Sequence, residues 1–165
     1  MCSSDLTANF DGSGDENNPY RIQANTLYGA LDANGVPLNS ALSVSNTALS
    51  YYGLSVSRIG YNIASQQKGY LELFWTNGAN TAQSVPIMNM DLCGQYSEEQ
   101  GMVSIYNNGA VDKTGDIGIR TFGLGYTANT AYTLFVELRK QNEYYQRGQF
   151  NDPAAFNYGS YSLKP

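Results

Sequence analysis

Carboxylates are the first candidates for chemistry in this chain, because it contains no histidine. The missing histidine excludes a Ser-His-Asp triad and any histidine-liganded metal site. A glycosidase needs two carboxyl groups roughly 5–9.5 Å apart beside an aromatic-lined cleft. The acidic residues on or next to predicted strands are Glu72, Asp91, Asp116 and Glu137. Nothing in their spacing fixes such a separation, so we interpret them as outward-facing groups on half-exposed strands and predict no enzymatic activity.

A second polar group lies in the stretch DGSGDEN, where Asp11, Ser13 and Asp15 have the alternating oxygens of a calcium-binding loop. An EF-hand requires Gly at the sixth loop position and Glu at the twelfth, and this chain has Glu16 and Ile22 there. The departure predicts a solvent-exposed turn stabilised by its Asp side chains, and no metal. The chain also lacks a Gly-rich dinucleotide motif and a P-loop, so we predict no cofactor.

Aromatic side chains are stronger candidates, since the chain has 14 tyrosines. A row of exposed rings forms a platform on which sugars stack, and the residues that could build one are Tyr51, Tyr52 and Tyr70. Trp75 shares the parity of Leu71 and Leu73, and the large area of its indole favours the core. Tyr70 has the opposite parity, so the sequence leaves it either exposed or covered by another segment.

The segment 141–165 is rich in aromatic residues that follow no strand period. Left in water, these rings would expose an apolar patch of a size that soluble monomers avoid. Large rings with few rotatable bonds are favoured at protein interfaces, although packing on their own domain satisfies the same physics. We therefore predict an arm that contacts a neighbouring subunit or shell through Tyr144, Tyr145, Phe150, Phe156, Tyr158 and Tyr161.

Strands must position these side chains, because the apolar residues recur with a period of two through most of the chain. The clearest alternation joins two runs within the segment 113–140 at the inward positions Ile117, Ile119, Thr121, Tyr132, Leu134, Val136 and Leu138. Such alternation means one buried and one exposed face, which is typical of antiparallel sheets. With Asn-Gly turns between short strands, the sequence predicts an all-β antiparallel sandwich or jelly roll, followed by the irregular aromatic arm.

The domain organisation follows from these patterns. Residues 54–140 form the core of the predicted sandwich, and residues 7–53 supply an N-terminal loop and the first strands of the same domain. Residues 141–165 are the predicted arm. Residues 1–6 contain CSSDL, which one reading frame of a common sequencing-library adapter encodes, and we interpret them as an adapter-derived artefact. Cys93 would then be the only authentic cysteine, which is too few for an internal disulfide.

Composition limits the partners. The net charge is −5 and no Lys/Arg cluster occurs, so the electrostatic footprint of a nucleic-acid-binding protein is missing. No apolar run approaches the ~18 residues that a membrane span needs. Charged residues make up only 14% of the chain, and a surface of hydroxyls and amides is more typical of extracellular or virion proteins.

The segment 113–140 resembles the C-terminal signature of small virion proteins of tailed bacteriophages. Its matching elements are TGDI at residues 114–117, Thr121, YT at residues 132–133 and ELRK at residues 137–140. Upstream, GYLELFW at residues 69–75 resembles the family's glycine-led strand that ends in Trp, so the likeness covers about residues 54–140. The resemblance implies a β-sandwich that decorates or cements the capsid. The family pattern ends near the RK pair, whereas this chain continues for 25 residues.

Two functions from different classes follow as expectations. The first is a non-enzymatic structural protein of the virion, a decoration or cement protein whose partners are capsid or tail proteins and copies of itself. The second is a carbohydrate- or receptor-binding module of a tail fibre or bacterial surface adhesin, with a glycan as its ligand. Exposed tyrosines in a row would favour the second.

Overall fold

The chain folds as two antiparallel β-sheets. The structure, a computed structural model, describes residues 2–38, 47–65, 68–77, 84–107, 113–126 and 128–146. Within these residues the only helical segments are two 3-10 turns, Ala24–Thr26 and Glu98–Gln100. No helix of the described part is long and apolar enough to span a membrane. The predicted all-β class and antiparallel pairing are confirmed.

The first sheet has five strands in the order β1-β9-β3-β6, with β7 pairing the other part of the β3 edge beside β6. Its strands are β1 (Cys2–Asn9), β3 (Leu54–Ala64), β6 (Cys93–Ser97), β7 (Ile105–Tyr106) and β9 (Ala131–Lys140). The second sheet has four strands in the order β2-β8-β4-β5. Its strands are β2 (Asn17–Ile22), β4 (Tyr70–Asn77), β5 (Val85–Met90) and β8 (Lys113–Phe122).

The core lies between the sheets and is built from the inward positions that the alternation predicts. The predicted residues found fully buried include Ile59, Leu71, Leu73, Trp75, Ile117, Ile119, Leu134, Val136 and Leu138. Trp75 is 1% exposed, which confirms its predicted core position. Alternation is informative here because each of these strands has one face against the opposite sheet.

Two predicted strand positions, Leu92 and Val103, differ from the structure. Met88 and Met90 lie on β5, but Leu92 follows its end and is 72% exposed. Val103 precedes β7 and is 76% exposed, so the alternation of Val103 with Ile105 does not reflect a common strand. The short strand predicted at Leu42 and Val44 lies outside the described residues. Residues 2–6, which the sequence analysis interprets as adapter-derived, belong to β1, and β1 pairs with β9 along its length.

The Asn34–Gly35 stretch forms a tight turn between the bridge partners Leu31 and Pro37. The Asp32 side chain accepts hydrogen bonds from the N–H groups of Asn34 and Val36, at 2.8 and 2.9 Å. Gly35 has a φ of +75°, which the turn requires and which glycine adopts at little cost.

Candidate functional site: a groove beside Tyr70 and Phe122

The tyrosines predicted for the arm pack on their own sandwich where the structure describes them. Tyr145 is 2% exposed and its hydroxyl donates a 2.9 Å hydrogen bond to the Ala24 carbonyl oxygen. Tyr144 is half-buried, with its ring centre 5.3 Å from that of Tyr51. Tyr145 thus packs within its own domain, and its role at an interface stays a prediction. Phe150, Phe156, Tyr158 and Tyr161 lie outside the described residues.

Two of the three tyrosines predicted to bind a glycan are also part of this packing. Tyr52 is 1% exposed, and its hydroxyl donates to the Leu31 carbonyl oxygen at 2.7 Å. Burial raises the pKa of the Tyr52 phenol, and the nearby charge of Asp32 acts in the same direction. Tyr51 is half-buried against Tyr144. The predicted platform is therefore wrong at Tyr52, because its ring is inside the protein.

Tyr70, the third, is exposed and forms a site with a residue that the sequence analysis did not select. Tyr70 and Phe122 are register partners on β4 and β8. Their rings stack with centres 4.6 Å apart at an interplanar angle of 19°. Each side chain is 38% exposed. Offset stacking of this kind stabilises an aromatic pair beyond its area burial, by about 0.5–1.5 kcal/mol, and so holds both rings in place at the surface.

The pair lines a groove of about 570 Å³ at the end of the second sheet. The groove is lined by Lys68, Gly69, Tyr70, Asn89, Met90, Asp91, Phe122 and Gly123. Lys68, Asn89 and Asp91 are exposed, and together they offer an ammonium donor, an amide and a carboxylate acceptor. Flat apolar rings beside a few polar groups are the composition expected of a small-molecule site.

Arg120 extends the aromatic pair across the outer face of the sheet. Its guanidinium lies 5.7 Å from the centre of the Phe122 ring and 4.8 Å from that of Phe74. It also forms an ion pair with Glu72, its register partner on β4. Guanidinium groups bind well on aromatic faces. Phe122 is thus supported by both Tyr70 and Arg120.

Phe74 and Glu72 are buried, although the alternation placed them on the outer face. Phe74 is 0% exposed and Glu72 is 6% exposed. The ring of Phe74 lies over Gly118, where a Cβ would overlap it. A bulge in β2 brings the Pro19 carbonyl oxygen to the Thr76 hydroxyl, which donates to it. The interpretation of Glu72 as a solvent-facing carboxylate is therefore wrong.

The candidate carboxylates do not converge on a site. Glu72 lies on β4 of the second sheet and is paired with Arg120. Glu137 lies on β9 of the first sheet and accepts a hydrogen bond from Ser57 at 2.9 Å. Both are on outward positions of packed sheets about 10 Å apart, so the two groups lie on opposite sides of the sandwich. Asp116 lies on β8 and accepts a hydrogen bond from the Ala24 N–H at 2.7 Å, whereas Asp91 follows β5 and lines the groove beside Phe122.

The DGSGD loop stabilises the turn that borders the groove. The Asp15 carboxylate accepts hydrogen bonds from the N–H groups of Gly123 and Gly125, both at 2.8 Å, and from the Thr121 hydroxyl at 3.0 Å. Asp11 accepts from the Ser13 N–H at 2.9 Å, as expected of an Asx turn. No group of three potential metal ligands occurs in the described part of the chain. Asp15 thus fixes the turn that follows Phe122.

Asp15 also makes stability depend on pH. Burial alone would raise its pKa, but the hydrogen bonds from Gly125, Gly123 and Thr121 outweigh it and hold the pKa below the usual 3.8. A depressed carboxyl pKa stabilises the fold above pH ~4, and that contribution is lost as the pH falls through the folded-state value. We expect Asp15→Asn to lower the free energy of unfolding by about 1–3 kcal/mol at pH 7.

Urea denaturation of Asp15→Asn and the parent protein from pH 7 to pH 3 measures this effect. The difference between the two proteins should shrink as the pH falls below ~4, because the Asp15 carboxylate of the unfolded chain is protonated there before that of the folded protein. Asp91→Asn, at an exposed carboxylate, is the control and should stay within about 0.5 kcal/mol of the parent. A constant difference across the whole pH range would show that the Asp15 charge contributes nothing.

Comparison with known proteins returns no match: no family profile, no curated protein and no solved structure is similar to the chain.

Proposed function

We propose that this protein is a non-enzymatic recognition module that binds a carbohydrate in the groove beside Tyr70. The observation that carries the proposal is the stacked Tyr70–Phe122 pair, exposed at 38% for each side chain in a groove with three polar side chains. Sugar rings present C–H groups on one face and hydroxyls around the edge. An aromatic ring packs against the first, and amide, ammonium and carboxylate groups bind the second.

The two rings are equally exposed, but Tyr70 has fewer contacts with other rings and cations than Phe122 among the described residues. Phe122 has the Tyr70 ring on one side and also contacts the Arg120 guanidinium. Among the described residues, the one ring contact of Tyr70 is with Phe122. Tyr70 would therefore stack on the ligand, while Phe122 and Arg120 hold it in position. A ring that is already fixed loses little side-chain entropy on binding, which favours affinity.

The biological setting remains as the sequence predicts it. A groove of this kind suits the binding module of a tail fibre or of a bacterial surface adhesin. The capsid decoration role and virion location, predicted from the resemblance in residues 54–140, stay predictions. The packing of Tyr144 and Tyr145 on their own domain removes part of the reasoning for an arm between subunits, so we favour the glycan-binding role.

A glycan array probed with the full chain, followed by titration of the best ligand, tests this proposal. We expect Tyr70→Ala to weaken binding by about tenfold, which corresponds to about 1.4 kcal/mol for a lost stacking contact. Tyr70→Phe keeps the ring and should retain most of the affinity. Tyr106→Ala removes a ring that is 47% exposed on the other sheet and should bind like the parent protein. The proposal is wrong if no glycan binds, or if Tyr70→Ala binds as tightly as the parent.

A further inference from the structure

The side of the Tyr70 ring that Phe122 leaves open is directed toward β5. In the second sheet β4 lies between β8 and β5, and Phe122 on β8 stacks on one side of the ring. On the other side, Leu71 pairs with Met90 of β5, and the same antiparallel register places Asp91 opposite Tyr70. Opposite residues of an antiparallel pair have Cβ atoms about 4.5–5.5 Å apart. A ligand that stacks on Tyr70 is therefore bordered by the Asp91 side chain.

Lys68 brings the opposite charge to the same groove. It lies two residues before Tyr70, and it and Asp91 are the charged residues of the groove lining. Both are exposed. Within the described ranges, neither the Lys68 ammonium nor the Asp91 carboxylate forms a hydrogen bond or an ion pair with the other or with a third residue. In this part of the chain the groove thus offers one available charge of each sign, and the two sum to zero.

Two opposite charges in one groove disfavour a charged ligand. A sugar carboxylate is attracted by Lys68 and repelled by Asp91, and a sugar ammonium meets the reverse, so little net attraction offsets the loss of its hydration. The net charge of the chain, −5, adds no attraction for an anion. An uncharged sugar loses less hydration, and its hydroxyl or amide groups can donate to the carboxylate and accept from the ammonium. Such charge-assisted hydrogen bonds are roughly twice as strong as neutral ones.

We propose that Lys68 and Asp91 restrict the groove to uncharged glycans, because each charge offsets the attraction that the other would exert on a charged sugar. The Asp91 carboxylate accepts a hydrogen bond from the sugar that stacks on Tyr70, and the Lys68 ammonium donates one to it. This inference rests on the carbohydrate-binding function proposed above and adds the class of sugar. It also makes both residues determinants of specificity, with opposite effects when either charge is removed.

Matched sets of oligosaccharides test this inference on the full chain. The probes are oligosaccharides of glucose, galactose and mannose, each compared with the same oligosaccharide built from its uronic acid and from its 2-amino sugar. Titrations are made at about pH 6, where the sugar carboxylates and amines are both charged. We expect the parent protein to bind the uncharged member of a set at least about threefold more tightly than either charged member, as expected of partly screened charges.

Removing one charge should change the preference in a direction that depends on which charge is lost. Asp91→Asn leaves Lys68 unopposed and should raise the affinity for the uronic acid, relative to the uncharged sugar, by about threefold to fivefold. Lys68→Gln leaves Asp91 unopposed and should raise the relative affinity for the amino sugar by a similar factor. Both changes should shrink at high salt, because exposed charges are screened. A loss of structure in either variant would weaken all three sugars together.

Glu99→Gln is the control for the net charge of the chain. It removes one exposed carboxylate from the 3-10 turn Glu98–Gln100, outside the groove, and should leave the preference unchanged. A parent protein that binds the uronic acid or the amino sugar as tightly as the uncharged sugar would overturn the inference and leave the carbohydrate-binding function intact. So would Asp91→Asn and Lys68→Gln variants with the parent's preference. Failure to bind any sugar of any set would instead reject the carbohydrate-binding function, and this inference with it.

Discussion

Replacing Gly115 with alanine is expected to lower the free energy of unfolding by about 3–5 kcal/mol, enough to unfold a marginally stable domain. Gly115 has a φ of +93°, which an L-residue adopts only with strain, and a Cβ there would overlap the carbonyl oxygen of Tyr52. The same Cβ would lie 3.3 Å from that of Ala24. Strain and overlap act together because the contacts on both sides are backbone or core atoms.

The neighbours of Gly115 show why this point of the fold cannot relax. Tyr52 N–H donates to the Thr114 carbonyl oxygen at 2.9 Å. Asp116 binds the Ala24 N–H at 2.7 Å and the Thr114 hydroxyl at 2.8 Å. The TGDI stretch, which carried the resemblance to phage proteins, thus joins β8 to the segments at Ala24 and Tyr52. Its residues therefore have structural roles in this sandwich.

Gly101→Ala is the matched control. Gly101 has a φ of +83°, but its Cβ would meet nothing within 4 Å. Its substitution should therefore lower the free energy of unfolding by the strain of a positive φ alone, about 1–2 kcal/mol. Urea denaturation of both variants separates the cost of the positive φ, which both share, from the cost of the overlap with Tyr52, which only Gly115→Ala has. Equal losses in the two variants would contradict the role given to the Tyr52 contact.

The inward faces of the sheets could be predicted from sequence, because each buried position recurs every second residue. Leu71, Leu73 and Trp75 need no knowledge of other strands to be assigned to the core. Glu72 was wrongly interpreted as solvent-facing and the burial of Phe74 was not predicted, since Arg120 lies over the Phe74 ring and pairs with Glu72, and Gly118 has no side chain to displace that ring. Alternation contains no information about what packs on the outer face of a sheet.

Only one part of the groove, the outward ring of Tyr70, could be predicted from the sequence. The parity of Tyr70 indicates an outward ring, but its stacking on Phe122 depends on the register of β4 against β8. A shift of one residue would place Thr121 beside Tyr70 and remove the site. Asp15 was predicted to be a solvated turn residue because its partners, Gly123 and Gly125, are remote in the chain. Long-range hydrogen bonds of this kind have no local sequence signal.

Removal of the Tyr145 side chain is the second change with a large expected effect, because this ring closes the end of the sandwich. Its ring centre lies 5.5 Å from that of Tyr52 and 5.2 Å from the Lys140 Nζ atom. Its hydroxyl donates a hydrogen bond to the Ala24 carbonyl oxygen. We expect Tyr145→Ala to lower the free energy of unfolding by about 3–5 kcal/mol, as for other large buried aromatics. Tyr145→Phe loses only the hydrogen bond and should cost about 1 kcal/mol.

The same experiment decides between two roles for Tyr145, contact with another subunit and packing on its own sandwich. If Tyr145 served an interface, its replacement would weaken association and leave the unfolding of the monomer unchanged. If it closes its own sandwich, Tyr145→Ala melts earlier at every protein concentration. Tyr126→Ala, at a ring that is 68% exposed, is the control and should stay within about 0.5 kcal/mol of the parent. Unfolding curves of Tyr145→Ala that match the parent would show that the arm, and not the core, is where this ring acts.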